Sequence, residues 1–478
     1  MKKSTASQLI VKNIGFLFNG EIIGQMLTLA LVIVISRELG DVGLGKYSFA
    51  FSFASIFLLL ADFGLPTLIT KDVAKNKNLA KGHLTKTFTL KMILNILTLF
   101  ITLAAILISK KDNETFLLVL LAAIAMCFYN FGGIFRSIFQ AYEVMKFEVI
   151  SKTIERIIAA GIGIFLLLKG YGIFALFWAL VLSNAVYYIL LHTFNSKKII
   201  PTGISFDLAY WKKVIKDSFP FWLTLIFVSF YVRIDTIMLG FMKDYAVTGW
   251  YNAAYRIIDV CVRMLFLPII AVFPAFSKFH RISIEKTKLL YEKSFYYMLV
   301  FSIPVVAGIV VLAQKIILTI YGSQFVNSII ALQILGFALF FTSLNYLMGY
   351  LLNSIEKGKM FTITTGVSTI LNVTLNLILI PSYSYIGAGF ATVTSEIVNF
   401  SMLYYFTRKS DFKLNIFKLI LKPMIAALIM SISVFYLKSY SNIAVLAASG
   451  AVIYFAVLFL IKGIGKEEIN LVKSFSFR

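Results

Sequence analysis

Apolar residues run in continuous stretches along the whole chain, each near the 20 residues that cross a roughly 30 Å hydrocarbon core as helix. They predict fourteen spans: 14–35, 45–69, 87–109, 116–139, 150–168, 171–193, 215–240, 249–273, 294–313, 328–352, 360–380, 386–406, 416–437 and 443–462. The runs are continuous rather than alternating, which argues against a strand barrel. In the 150–193 stretch two spans share one tight turn at Lys169–Tyr171. The first span holds Glu21 and Gln25 and has no small-residue cleavage site behind it, so it reads as a retained helix rather than a signal peptide. The expected fold class is an all-α polytopic membrane protein.

Composition agrees. Over 478 residues, 60% are hydrophobic and 14% charged, against about half and a quarter in soluble chains. That excess excludes a soluble enzyme, a disordered chain and a nucleic-acid reader. The net charge of +23 is then a matter of sidedness. With the N-terminus inside, Lys and Arg favour inside over outside connections by about four to one, alternating loop by loop as the positive-inside rule requires. This sorting counts Lys91 with the 70–86 connection and leaves Arg136, Arg156, Arg233, Arg256 and Arg263 within spans. It places both termini on the cytoplasmic side of a cell membrane, with anionic membrane lipid beside the basic loops. The Lys-, Ile- and Asn-rich usage points to a prokaryote. The largest connections (70–86, 194–214 and 274–293) are all inside, so no outer domain is available for catalysis and no enzyme is expected. Cys127 and Cys261 lie in apolar runs and read as free thiols, and His83, His192 and His280 are far apart, so no metal site and no cofactor are implied. Gly40–Lys46 fits the start of a P-loop, but Tyr47 stands where Ser or Thr is needed and no strand precedes it.

An internal repeat is visible. Gly172 through Tyr187-Tyr188 resembles Gly389 through Tyr404-Tyr405, and Glu143-Val-Met-Lys-Phe resembles Glu356-Lys-Gly-Lys-Met-Phe. Leu39-Gly40 followed by Gly45-Lys46-Tyr47 echoes Leu239-Gly240 followed by Gly249-Trp250-Tyr251. The offset equals six spans, an even number, so both copies keep one orientation about an axis along the membrane normal. The expected domains are an N-lobe over 1–200, a C-lobe over 201–410, and an added helix pair with a tail over 411–478.

Ionisable groups inside spans cost roughly 2.5–3.5 kcal/mol each on insertion scales, so they face bundle interiors or wet cavities. Span 8 carries Asn252, Arg256, Asp259 and Arg263 at steps of 4, 3 and 4, one helical face. Arg256 and Arg263 can both reach Asp259, which leaves one positive charge over. A cavity lining and a structural salt-bridge ladder both fit that stripe. Arg233 in span 7 shares a polar face with Ser229 and Thr236, whereas Asp235 points elsewhere and is expected to pair with a neighbouring helix. Span 1 presents Glu21, Gln25 and Thr28 beside the small pair Gly20 and Gly24. Span 2 presents Ser48, Ser52, Ser55 and Asp62. Glu21 and Asp62 are expected near Arg136 and Arg156 at the inner mouth of the first lobe. Glu396 stands alone in mid-membrane and reads as a proton or ion site, or as the partner of a cation elsewhere.

Taken together, two six-helix lobes plus an extra pair resemble the multidrug/oligosaccharidyl-lipid/polysaccharide exporter superfamily, in its O-antigen-type polysaccharide flippase branch. The residues that carry the resemblance are Ser36–Gly40 with Gly45-Lys46-Tyr47, Leu60-Ala-Asp-Phe-Gly-Leu65 ahead of a Lys-rich loop, and the block around Gly387–Thr392. The resemblance covers nearly the whole chain and implies movement of a polyprenyl phosphate- or diphosphate-linked oligosaccharide from inner to outer leaflet by alternating access, alongside glycan-assembly proteins. The lipid II flippases of the same group carry more arginines in the first lobe, where this chain has Glu21. The alternative is an organic-cation antiporter. A cation asks for carboxylates and a diphosphate for guanidinium groups, which bind phosphate through two parallel bonds. Arg256, Arg263 and Arg233, with Asp259 and Asn252, are the expected substrate contacts. Glu21, Gln25, Asp62 and Glu396 are expected to line the cavity or couple an ion.

Overall fold

A computed structural model describes residues 6–463, which are helical almost throughout and contain no strand. The helices in chain order are α1 (Ala6–Asp62), α2 (Leu65–Lys75), α3 (Ala80–Ile108), α4 (Asn113–Ala141), α5 (Lys146–Leu168), α6 (Gly172–Lys198), α7 (Leu208–Met242), α8 (Tyr245–His280), α9 (Ile284–Ile320), α10 (Ser328–Ser354), α11 (Gly358–Lys409), α12 (Ile416–Leu437) and α13 (Ile443–Leu460). Among the described residues nine helices are long and apolar enough to cross a membrane, or ten when α2 is joined to the rod before it. Large apolar side chains such as Phe100, Trp178 and Leu460 point outward, as lipid-facing positions do.

Two expected spans are joined end to end in α1 and two more in α11. The break in α1 is Gly40, at φ 67° and ψ −167°, a conformation that only glycine adopts without strain. In α11 the break falls at Ser384 (φ 54°), three residues after Pro381. The turn at 169–171 forms as expected, with Gly170 and Gly172 both at positive φ. The expected span 45–69 is shorter than its apolar run. It ends at Asp62, whose carboxylate accepts the Gly64 N–H at 3.1 Å, and α2 leaves at a 41° bend. Apolarity continues past the corner because Leu65, Leu68 and Ile69 are buried against protein.

Packing divides the chain into two compact units, Met1–Asn252 and Ala253–Arg478. The repeat copies over 1–200 and 201–410 are defined by sequence echo, a different property from packing. In the first unit the core joins Phe49, Phe53, Leu118, Ala122 and Phe177 from α1, α4 and α6. A second cluster of Phe135, Ile138, Phe139, Tyr187 and Leu191 fills the other end. α1 and the start of α8 cross so closely that a methyl group on Gly45 would overlap the Tyr245 carbonyl, and one on Gly249 the Asp41 carbonyl. Trp250 fixes this crossing by donating its indole N–H to Asp41 at 2.8 Å. In the second unit Leu299, Leu332, Leu335, Leu339 and Leu351 are buried between α9, α10 and α11.

Candidate functional site

In both units polar stripes are buried along with the apolar core, while large apolar side chains also face outward, as lipid allows. In α3 the stripe Thr87, Lys91, Asn95, Thr98 and Thr102 is buried throughout. Lys91 falls inside the expected span 87–109, although the charge sorting groups it with the inside connection. It is fully enclosed, with its ammonium donating to the Asn130 carbonyl at 2.9 Å and to Asn130 Oδ1 at 2.6 Å. Asn130 in turn donates to Asn95 at 3.3 Å. Gly133 faces both cations: a Cβ there would lie 3.6 Å from the Lys91 ammonium and 3.8 Å from the Arg136 guanidinium, ordinary contact distances. The clue lay in the helical spacing of the α3 stripe, which a count of charges per loop passes over.

The charge cluster expected at one end of the first unit resolves into separate pairs. Glu21 meets Lys152 at 3.1 Å and Arg156 at 3.4 Å, and Gln25 donates to it at 2.7 Å. Arg136 does not join them. It donates to the Tyr129 hydroxyl at 3.2 Å and sits 3.9 Å from Glu148. Asp62 is occupied in its own turn. Arg156 Nη1 is buried without a hydrogen-bond partner among the described residues. In the Ser stripe, Ser55 turns back to the Ser52 carbonyl at 2.8 Å, consistent with close packing. Asn252 accepts from Thr236 at 3.1 Å and donates to the Thr248 carbonyl. Buried Asp235 pairs with a neighbouring helix as expected, accepting from Tyr251 at 2.6 Å. Arg233 is exposed.

In the second unit the span 8 spacing gives the pairs it predicts. Asp259 Oδ2 lies 3.5 Å from Arg256 and 3.2 Å from Arg263, so one carboxylate answers two guanidinium groups. Arg263 is about half exposed (48%), whereas Arg256 is more enclosed and its Nε is buried without a hydrogen-bond partner among the described residues. α8 stays helical through Pro268 and Pro274. A different face of α8, with Met264, Leu265 and Pro268, lines an apolar cavity of about 370 Å³ with Met298 and Phe301 of α9. The charged stripe and the apolar cavity therefore occupy different sides of this helix. Glu396 is buried and receives the Asn345 side-chain amide at 2.6 Å. Ahead of the break at Ser384, Thr365, Ser368, Thr369, Asn372 and Asn376 form a second buried polar stripe on α11. Among the described residues no group of His, Cys, Asp and Glu could hold a metal ion.

The sequence profile of the family described as polysaccharide biosynthesis protein matches residues 10–280, more than half of the chain. The chain belongs to that family. The chain is 28% identical over 173 residues to the probable low-salt glycan biosynthesis flippase Agl15 of Haloferax volcanii. That alignment spans 36% of either chain. Its fold is that of the lipid II flippase MurJ in an inward closed conformation (TM-score 0.78, 17% identity, 95% of this chain and 99% of that one). It is also similar to a multidrug resistance MATE family transporter of the MOP superfamily in an inward-facing conformation (TM-score 0.64, 16% identity, 81% and 95% covered). A polytopic, all-helical fold is thereby shown, as the sequence led one to expect.

Proposed function

We propose that this protein is a flippase that carries a polyprenyl phosphate- or diphosphate-linked oligosaccharide from the inner to the outer leaflet of the cytoplasmic membrane. Membership of a polysaccharide biosynthesis family, a glycan biosynthesis flippase among the relatives and a lipid II flippase among the fold neighbours support it. The observation that carries it is the α8 stripe, where Arg256 and Arg263 share the single carboxylate of Asp259. Two guanidinium groups thus stand on one carboxylate, and Arg256 keeps a buried N–H without a hydrogen-bond partner among the described residues. In this reading Arg256 and Arg263 hold the phosphates by parallel N–H bonds and Arg233 and Asn252 add polar contacts. Both termini are cytoplasmic, the lobes over 1–200 and 201–410 alternate in access, and the lipid tail stays in the bilayer. An inside-negative potential favours export of an anion by about 2.3 kcal/mol per charge per 100 mV, so nucleotide is not required.

The MATE-like fold keeps organic-cation antiport as the second reading. That chemistry asks for a carboxylate free to meet the cation. Glu21 is answered by Lys152 and Arg156, Asp259 by two arginines, and Asp235 by Tyr251, which favours the anionic substrate. The test is reconstitution into liposomes with a fluorescent polyprenyl diphosphate disaccharide in the inner leaflet. Time-dependent exposure outside, lowered about tenfold or more by Arg256→Ala with Arg263→Ala, is expected. Normal transport by that double variant at normal expression would overturn the phosphate-holding role. Transport of a lipophilic cation with none of the lipid-linked sugar would establish the antiporter instead.

A further inference from the structure

Beside the arginine stripe lies an aromatic cluster that charge alone does not explain. Tyr346 and Tyr350 are four residues apart on α10 and so share a face. Phe266 of α8 packs against both, at ring-centroid distances of 5.0 and 5.4 Å, and Phe273 lies 5.2 Å from Tyr350. All four rings are partly buried rather than sealed in the core. Tyr346 is within electrostatic reach of Glu396, Asp259 and Arg263, and Phe266, which packs on it, is one helical turn from Arg263 on α8. Neither tyrosine hydroxyl has a hydrogen-bond partner among the described residues. Packing between two helices would be served equally well by phenylalanine, without two phenol oxygens to desolvate.

We propose that Tyr346, Tyr350 and Phe266 form a sugar cradle, which receives the saccharide nearest the phosphates. The proposal rests on the flippase reading and adds the contact that would distinguish a glycosylated lipid from a bare one. In a lipid-diphosphate glycan the first sugar is bonded to the distal phosphate, so it must lie within one ring's width of the guanidinium groups. The cluster next to Arg263 occupies that place. Pyranose rings present faces of polarised C–H groups, which suit the negative faces of aromatic rings. Their rims carry hydroxyls, and a phenol oxygen can both donate to these and accept from them. Stacking tolerates many sugars, whereas the two hydroxyls fix orientation.

Binding of the purified full-length protein to two kinds of probe tests this. One is bare polyprenyl diphosphate; the other is a panel of polyprenyl diphosphates bearing N-acetylglucosamine, glucose or galactose. Wild type should bind at least one glycosylated probe about tenfold more tightly than the bare one. Tyr346→Leu with Tyr350→Leu should abolish that preference and leave affinity for bare diphosphate unchanged. Tyr346→Phe with Tyr350→Phe keeps the packing and should lose about two- to threefold of it. No sugar preference in wild type overturns the cradle. Full preference in the Leu pair does so too, as does full preference in the Phe pair if the Leu pair fails to fold. Failure of the flippase reading looks different: wild type then binds no probe, or Arg256→Ala with Arg263→Ala leaves bare-diphosphate binding intact.

Discussion

Asp259 is shared by two arginines, so the three members of the α8 stripe should respond differently to substitution. Arg256→Lys or Arg263→Lys keeps the charge but replaces a planar fork with a hydrated point donor, and transport should fall severalfold. Either Ala change should be worse, because Asp259 then repels the phosphates with less compensation. Asp259→Asn should leave transport closest to normal. If the stripe served only to hold the fold, Asp259→Asn would strand two arginines and depress expression as much as the Ala changes, and scoring both properties separates the cases. Lys91 makes a different prediction. Lys91→Met removes the donor to two Asn130 oxygens and should cost roughly 1–3 kcal/mol, read as a lowered melting temperature in detergent, with Lys91→Gln milder. The two cases also mark what the sequence could reveal about the site. Spacing on one helix is fixed by helix geometry, so the Asp259 pairs were legible in advance. Lys91 depends on Asn130 from another helix, and Glu21 on Lys152 and Arg156 of α5 rather than on Arg136; one sequence does not carry those meetings between helices.

Helix starts and crossings are governed by local chemistry. Asp207 caps α7 by accepting the Tyr210 N–H at 2.9 Å and binds the Lys86 ammonium of α3 at 2.7 Å. Lys86, with the Tyr210 and Ala209 N–H groups, holds the Asp207 carboxyl below its ordinary value of 3.8. A carboxyl lowered in the folded state contributes stability above its ordinary value and loses it as pH falls through and below that value. The difference in melting temperature between wild type and Asp207→Ala should therefore be present at pH 7 and shrink toward pH 3. Glycines give a sharper contrast. Gly249→Ala drives a methyl into backbone, which cannot move aside as a side chain can, and should sharply lower the yield of folded protein. Gly161→Ala in α5 meets nothing within 4 Å and should be neutral or stabilising by up to about 1 kcal/mol. Helix existence was readable from apolar length alone. The end of span 2 was not, because lipid and a protein interior both accept Leu65, Leu68 and Ile69, and only the Asp62 turn tells them apart.

For the whole molecule, the span count and the basic loops make a topological prediction. Single cysteines at Lys110, Lys243 and Lys438 should react with an impermeant reagent from outside; reaction only after permeabilisation at any of them would break the fourteen-span arrangement. That prediction rests on insertion responding to loop charge, a one-dimensional property. The substrate is not legible in the same way, because it is set by where cavity groups meet in space. The Gly45–Gly249 crossing belongs to this scale, since the sequence echo aligns Gly45-Lys46-Tyr47 with Gly249-Trp250-Tyr251 and so, in the proposed repeat, sets the two glycines at matching places. A position set against its own duplicate behaves like the contact on the twofold axis of a symmetric dimer, where one change strikes both sides. Duplication within one chain separates the two sides into independently mutable codons. A methyl at 249 strikes the Asp41 carbonyl, which is backbone, so no smaller side chain at 45 can make room for it. Second-site suppressors of Gly249→Ala should therefore arise by displacing a helix and should not map to residue 45.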